Sequence, residues 1–219
     1  MVKAVVFDLD GTLIDSVRAH AMAWLKAFNH LGYEGVKYEV LINMIGLPGY
    51  EIIRRLFGNG ALTKYREFKK IKDEVYIKLL KEGYITIYPD VIPTLRTLRA
   101  LGLKLGLASS TPSKTLSIVL RRFRLNGLFD AVIPGDKVSK GKPHPEIFIK
   151  AFKELNVLPT SGCVVGDSPY DIKPAKEMGC IAILVTHGAR KEVKPPPDYV
   201  INEVSELIEL IPKLGIDPY

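Results

Sequence analysis

Cysteine is scarce in this sequence: the chain contains only Cys163 and Cys180, and it has no CxxC pair. Two thiols are weak grounds for a disulfide, and a zinc site needs clustered Cys or His ligands that this spacing does not offer. Cys163 begins the apolar run Cys163–Val165, and Cys180 directly precedes another. We therefore expect two reduced, buried thiols.

Long apolar runs are missing as well. Segments such as Ile181–Val185 have the length of a strand, far below the roughly 20 residues of a membrane-spanning helix. Asp8 and Asp10 lie where a signal peptide would need an apolar stretch. These absences predict a cytoplasmic protein with no membrane partner.

No nucleic-acid-binding motif accompanies the basic residues. The formal net charge of +7 would suit an anionic partner, but lysines are mixed with acids, as in Lys69–Glu74. Solvated helix faces account for such a pattern, so no nucleic acid partner is expected. With 47% hydrophobic residues among 219, the chain can form one or two compact domains.

Strand-length and helical segments alternate from Val91 onward, which predicts a parallel sheet with helices on both faces. The predicted strands are Leu103–Ala108, Ala131–Ile133, Cys163–Val165, Ile181–Val185 and Tyr199–Ile201. The predicted helices are Lys114–Phe123, Pro145–Leu155, Ile172–Met178 and Val204–Leu214.

A stretch of about 70 residues after the first strand is instead helical in period. It predicts an insertion at 16–83 within an α/β domain formed by 1–15 and 84–219. Its helices are expected at Val17–Leu31, Tyr38–Met44, Tyr50–Phe57 and Thr63–Lys81. On the last of these, a face made of Tyr65, Phe68, Ile71, Val75 and Leu79 is expected to pack into a small helical bundle.

The first strand ends in two acidic residues, Asp8 and Asp10, followed at once by Gly11. Carboxylates this close at the end of a buried strand repel each other unless a cation or a proton lies between them. This favours a metal ion or catalysis, with turn capping by one solvated aspartate as the alternative.

Polar residues also follow the next two strands. Ser109–Pro112 opens a helix with hydroxyls and backbone N–H groups, which favours phosphate binding by Ser109. The alternative is capping by Thr111 with Pro112 at the first helical position. Lys142 lies in a proline-rich turn, where a fixed ammonium would pair with Asp8, whereas His144 is expected to be a surface turn residue.

The fourth strand ends in Gly166–Ser168, and Asp171 follows. Two more carboxylates at this edge of the sheet can converge with the first pair on a hard cation such as Mg²⁺. The alternative for Asp171 is that it only caps the next helix.

In this order the motifs resemble those of the haloacid dehalogenase superfamily, whose members are mostly magnesium-dependent phosphohydrolases. Similar to its four motifs, over the whole chain, are Asp8–Thr12, Ser109, Lys142 in Gly141–Pro143, and Gly166–Ser168 with Asp171. The resemblance implies an α/β fold, with a Rossmann-like parallel sheet core and an inserted α-helical bundle cap.

The resemblance also implies a mechanism. Asp8 would attack phosphorus to form an aspartyl-phosphate, while Asp10 would protonate the leaving alcohol and then activate water. Magnesium would be held by Asp8, the backbone carbonyl of Asp10, Asp167 and Asp171, the last directly or through water. The phosphoryl oxygens would be bound by Ser109, Ser110 and Lys142.

Less can be said about the substrate. His20 and Trp24 are similar to the pattern in β-phosphoglucomutase and its sugar-phosphatase relatives, although simple packing of the cap would also explain them. The mutase pattern has an arginine where this chain has Gly46–Tyr50, and Arg54 or Arg55 from the next helix could replace it. A phosphomonoesterase acting on phosphoglycolate or a sugar phosphate is favoured over a phosphomutase or a non-catalytic binding module. A monomer or homodimer is expected.

Overall fold

The computed structural model describes residues 2–189 and 192–215. It divides into two compact units, one formed by the chain up to Ile14 and from Ile87 onward, the other by Asp15–Thr86. In chain order the elements are β1 Ala4–Phe7, β2 Ile14–Asp15, α1 Val17–His30, α2 Tyr38–Ile42, α3 Gly49–Phe57, α4 Tyr65–Lys81, β3 Thr86–Ile87, α5 Val91–Ala100, β4 Lys104–Ser109, α6 Ser113–Arg122, β5 Ala131–Pro134, α7 Glu146–Leu155, β6 Gly162–Gly166, α8 Pro169–Glu177, β7 Ile181–Val185, β8 Tyr199–Ile201 and α9 Leu207–Lys213.

The first unit is built on a six-stranded parallel sheet in the order β5-β4-β1-β6-β7-β8. Phe7 at the end of β1 lies opposite Leu107 of β4 and Val165 of β6. The chain runs outward from β1 to β4 and β5 and then returns to the other side of β1 as β6. Ligands bind at such a reversal, beyond the carboxyl ends of the strands. The predicted α/β fold class is confirmed.

The central strand β1 is buried along its whole length because helices cover the sheet. Val6 of β1 and Val164 of β6 pack with Phe148 and Phe152 of α7 and Ile172 of α8. Each such apolar side chain contributes roughly 1.5–3 kcal/mol by leaving water. This core holds the strand ends, and the side chains that follow them, in a fixed register.

Some predicted helix boundaries were wrong. Helix α8 begins at Pro169 rather than Ile172, with Ser168 as its N-cap, because proline is well tolerated at the first helical position. The helix predicted from Val204 begins as a 3₁₀ turn, Val204–Glu206, under a Glu203/Glu206 capping box, and continues as α9. Further 3₁₀ turns occur at Asn59–Lys64, Gly135–Lys137 and Pro159–Ser161.

The second unit consists of helices, with α1 packed along α4. Phe28 of α1 is its aromatic centre, since its ring lies 5.4 Å from Trp24, 5.0 Å from Phe57 and 5.5 Å from Phe68, between ring centroids. The buried face of α4 differs from the predicted one, because Lys72 and Tyr76 are buried whereas Ile71 and Val75 are only half-buried.

Within the described residues, no helix combines the length and the apolar character needed to span a membrane.

Both cysteines are free thiols inside the sheet unit, and the Cys163 Sγ lies 3.8 Å from the Ala4 carbonyl oxygen. Burial raises the pKa of the Cys163 thiol well above its ordinary value and that of Cys180 to about 12. We expect both thiols to resist a disulfide reagent at pH 8, because the thiolate is the reactive form. Reaction with dithionitrobenzoate should become complete only in guanidinium; rapid labelling of the native protein would contradict this.

Candidate active site

The polar residues that follow the strands meet at the carboxyl edge of the sheet. Asp8 follows β1, Ser109 ends β4, and Asp167 follows β6, and these three strands are direct neighbours in parallel register. Lys142 comes from the segment after β5, the neighbour of β4. Residues that lie far apart in the sequence are therefore brought together by strand order alone.

Three carboxylates form a tight cluster at this edge. One oxygen from each of Asp8, Asp167 and Asp171 lies within 4.8 Å of the others. Asp8 and Asp171 are buried, whereas Asp167 is half-buried. Carboxylate oxygens at this spacing are the donor set that a hard divalent cation prefers.

Lys142 is the buried counter-ion of two of these carboxylates. Its Nζ lies 2.5 Å from Asp8 Oδ1 and 2.7 Å from Asp171 Oδ1, and its side chain has no exposed area. Burial by itself lowers the pKa of Lys142, but the nearby Asp171 and Asp8 outweigh it and hold this pKa above its ordinary value. Lys142 is therefore charged, as the sequence predicts for a lysine that pairs with Asp8.

The pKa of Asp8 indicates that the negative charge of the cluster exceeds the positive charge of Lys142. Burial raises its pKa well above the ordinary value, Lys142 lowers it, and Asp171, Asp167 and Asp10 raise it further. One ammonium does not neutralise this group of carboxylates, so a divalent cation would relieve the remaining repulsion. The donor chemistry and the charge both fit such an ion.

Asp10 is not part of the three-carboxylate cluster, and it accepts a hydrogen bond from a hydroxyl that sequence analysis had considered as a helix cap. Thr111 Oγ1 donates a hydrogen bond of 2.9 Å to Asp10 Oδ2, and the Thr111 N–H donates to Ser109 Oγ at 3.1 Å. The alternative of a Thr111 cap was wrong, because α6 begins at Ser113 with Pro112 in the N-cap position. Thr111 instead orients Asp10.

In the turn after β1, one backbone carbonyl oxygen accepts three hydrogen bonds. The Leu9 oxygen accepts hydrogen bonds from the N–H groups of Thr12, Leu13 and Ile14 at 3.2, 2.9 and 3.2 Å. Gly11 has φ +84°, a conformation that glycine adopts without strain. The turn also brings Thr12 Oγ1 to 3.4 Å from Asp8 Oδ2.

Asp171 reaches the cluster from the first turn of α8. It is not the N-cap that the alternative suggested, since Ser168 has that position and its Oγ donates to Asp171 Oδ2 at 2.6 Å. Gly166 makes room for it, because a Cβ there would lie 2.3 Å from the Asp171 Cβ. Ser168 and Gly166 stand beside the predicted acids in the sequence, but only the packing reveals what they do.

The other candidates, His20, Trp24 and Arg54, belong to the helical unit. His20 stacks on Tyr76 with 4.1 Å between ring centroids, and Trp24 stacks on Phe28. Arg54 is exposed and pairs with Glu51, whose pKa its guanidinium lowers to about 2.

Sequence analysis missed Lys72 in this unit. It is buried on α4, with its Nζ 4.8 Å from the ring centroid of Tyr76 and 6.0 Å from that of Trp24. The spacing of Phe68, Lys72 and Tyr76, each four residues apart, was the available signal, since such residues share a helix face.

Comparison with known proteins shows which family the chain resembles. A family model described as haloacid dehalogenase-like hydrolase matches residues 5–185. Phosphoglycolate phosphatase of Salmonella typhimurium is 30% identical over 98% of this chain and 93% of its own. The pyrophosphatase PpaX of Bacillus mycoides is 29% identical over 98% and 99%. A crystal structure of β-phosphoglucomutase from Clostridium difficile superposes with a TM-score of 0.85, at 25% identity over 97% of this chain and 96% of that one.

Removing the buried ammonium should destabilise the fold. Lys142→Met leaves Asp8 and Asp171 without their counter-ion, which should lower the free energy of unfolding at pH 8 by about 3–5 kcal/mol. A carboxyl whose native pKa exceeds its unfolded value takes up a proton on folding, so part of this loss should be regained as the pH falls from 8 toward about 5.

Urea denaturation at both pH values measures the effect. Lys173→Met serves as the control, because Lys173 is exposed on α8 and lies 3.9 Å from Glu177. An equal, small loss in both variants would show that Lys142 does not compensate buried charge.

Proposed function

The chain belongs to the haloacid dehalogenase-like hydrolases, and we propose that it is a magnesium-dependent phosphatase acting on a small phosphorylated metabolite. The buried Lys142 between Asp8 and Asp171 is the observation that carries this proposal. In it one fixed ammonium bridges two carboxylates of the acidic cluster, one of which is the proposed nucleophile. Such an arrangement suits the transfer of an anionic phosphoryl group.

Asp8, Asp167 and Asp171 would hold the magnesium ion, since they supply three closely spaced oxygen ligands. When bound, the ion would offset the charge between the nucleophile and the phosphoryl oxygens. The structural fit rests on the close spacing of these three carboxylates. Burial first, and then the charges of Asp171 and Asp167, raise the pKa of Asp8, which agrees with a site that gains from a bound cation.

Asp8 is assigned as the nucleophile. One of its carboxylate oxygens forms a bond to phosphorus while the bond from phosphorus to the leaving oxygen breaks, giving an aspartyl-phosphate. Lys142 holds Asp8 Oδ1 at 2.5 Å, which fixes the orientation of the carboxylate during attack. Ser109, Ser110 and Lys142 are assigned to the phosphoryl oxygens.

Asp10 is assigned as the proton carrier. In its protonated form it donates to the leaving oxygen, and as a carboxylate it then accepts a proton from the water that attacks the aspartyl-phosphate. That second attack breaks the bond between phosphorus and Asp8 and releases phosphate. The hydrogen bond from Thr111 to Oδ2 holds the Asp10 carboxyl in one orientation for both steps.

The nucleophile assignment predicts that Asp8→Asn loses turnover. An amide is a poor nucleophile, so phosphate release from p-nitrophenyl phosphate should fall by at least about 1000-fold. Wild-type turnover should require magnesium and stop when EDTA is added. The melting temperature of Asp8→Asn should change little, because Asp171 still pairs with Lys142 and the amide oxygen can accept the Lys142 hydrogen bond.

Glu177→Gln is a suitable control, since Glu177 is exposed at the end of α8 and should leave turnover unchanged. Undiminished turnover in Asp8→Asn would contradict the role of Asp8. If the wild-type protein bound magnesium but released no phosphate from a broad set of phosphometabolites, we would conclude that it is a non-catalytic binding module and not an enzyme.

Phosphoglycolate is the proposed substrate. Support comes from the similar phosphoglycolate phosphatases, which match this chain over nearly its whole length. A sugar phosphate is the other candidate substrate of the same class.

The substrate assignment predicts that kcat/KM for phosphoglycolate exceeds that for glucose 1-phosphate by at least about tenfold. A phosphate-release assay with both substrates measures the difference. An equal or higher kcat/KM for glucose 1-phosphate would contradict the assignment.

A phosphomutase is the second candidate, because β-phosphoglucomutase shares the fold and His20 and Trp24 fit its pattern. Gly49 counts against it. A Cβ at this position would lie 2.7 Å from the Trp24 Cζ2 atom, so no arginine fits there unless the indole moves. Conversion of glucose 1-phosphate in the presence of a bisphosphate primer, with no release of phosphate, would favour the mutase.

A further inference from the structure

His187, which the mechanism does not use, has an unusual backbone. It follows β7 in a turn that the Ala189 N–H closes onto the Thr186 carbonyl at 3.0 Å. Its φ of +48° lies in the left-handed region, which is uncommon for a residue other than glycine. Such conformations persist where the surrounding contacts enforce them, and they cluster at functional sites.

The imidazole of His187 holds the turn that carries the catalytic aspartates. Its Nε2 lies 3.0 Å from the backbone carbonyl oxygen of Thr12. A carbonyl can only accept a hydrogen bond, so Nε2 carries the proton in this contact. Thr12 is fully buried and follows Asp10 and Gly11 directly, so its carbonyl needs a donor from elsewhere in the fold.

The face of the same imidazole packs on Tyr88. The two rings are nearly parallel, at 10°, with 3.4 Å between centroids. The N–H of Tyr88 donates to the Leu13 carbonyl at 3.2 Å. His187 and Tyr88 therefore form one stacked pair that binds two consecutive carbonyls, those of Thr12 and Leu13.

This pair lies next to the places where the chain passes between the two units. Leu13 directly precedes β2 and Tyr88 directly follows β3, and β2 and β3 pair with each other. The stacked pair of His187 and Tyr88 therefore contacts the turn that carries Asp8 and Asp10, next to β2 and β3.

We propose that His187 is a positioning residue for phosphoryl transfer, which it supports by holding the Thr12 carbonyl while its ring is fixed against Tyr88. The proposal rests on the function assigned to Asp8 and Asp10 above. Thr12 Oγ1 lies 3.4 Å from Asp8 Oδ2, so a shift of this turn displaces the nucleophile. Misplacement by about 1 Å can cost roughly 100-fold in rate.

Three substitutions at this position separate the hydrogen bond from the stacking. His187→Gln carries its amide nitrogen at about the position of Nε2 and so retains the donor while losing the ring. His187→Phe retains a ring without the donor, and His187→Asn places its amide too close to the backbone to reach. His30→Phe, at the exposed end of α1, controls for the loss of a histidine.

With p-nitrophenyl phosphate and saturating magnesium, kcat should fall about tenfold in His187→Phe and His187→Asn, the effect of one lost hydrogen bond. KM should stay within about twofold. His187→Gln should recover kcat to within about threefold of wild type. The comparison requires that the wild-type protein release phosphate. Absence of wild-type turnover would refute the proposed function. Equal kcat in wild type and His187→Phe would refute only the role of His187.

A purely structural role predicts a different result, in which kcat follows the melting temperature and Gln gives no recovery. If His187→Phe does not fold, Tyr88→Leu replaces it. That substitution keeps the imidazole donor but removes the ring that fixes it, and it should lower kcat about fivefold with little change in KM. An unchanged kcat in Tyr88→Leu would equally overturn the proposal.

Discussion

Lys142 lies buried between Asp8 and Asp171, with its Nζ 2.5 Å and 2.7 Å from their carboxylate oxygens. An isolated charge is costly in such a place, so each of these residues is tolerable only because the others are present. Burial raises the pKa of Asp8, and the neighbouring Asp167 and Asp10 raise it further. The edge of the sheet thus carries more negative than positive charge, which a divalent cation would offset.

Several less conspicuous residues make this arrangement possible. Gly166 leaves room for Asp171, Ser168 hydrogen-bonds its carboxylate, and Thr111 hydrogen-bonds Asp10. Asp8 and Asp10 therefore have different partners, Lys142 and Thr111, although only Leu9 lies between them. The role proposed for His187 follows the same principle, since its ring contacts the backbone of the turn that carries both aspartates.

The helical unit has a different kind of interior. Its aromatic residues pack around Phe28, while the buried Lys72 lies over the ring of Tyr76. The Lys72 ammonium also lies 3.5 Å from Asp73 Oδ1. The burial of this charge is therefore offset by both an aromatic face and a carboxylate.

The amino-acid sequence by itself determined the parallel α/β fold and the helical insertion, because hydrophobic periodicity is a local property. It also predicted that the acids, Ser109 and Lys142 lie at one edge of the sheet, since they follow strands whose carboxyl ends share that edge. The partners of these residues were decided by the tertiary structure. Lys142 and Asp8 are separated by 134 positions, Thr111 and Asp10 by 101, and His187 and Thr12 by 175. Such pairs depend on strand order, register and the loops that follow each strand, and no local pattern encodes these.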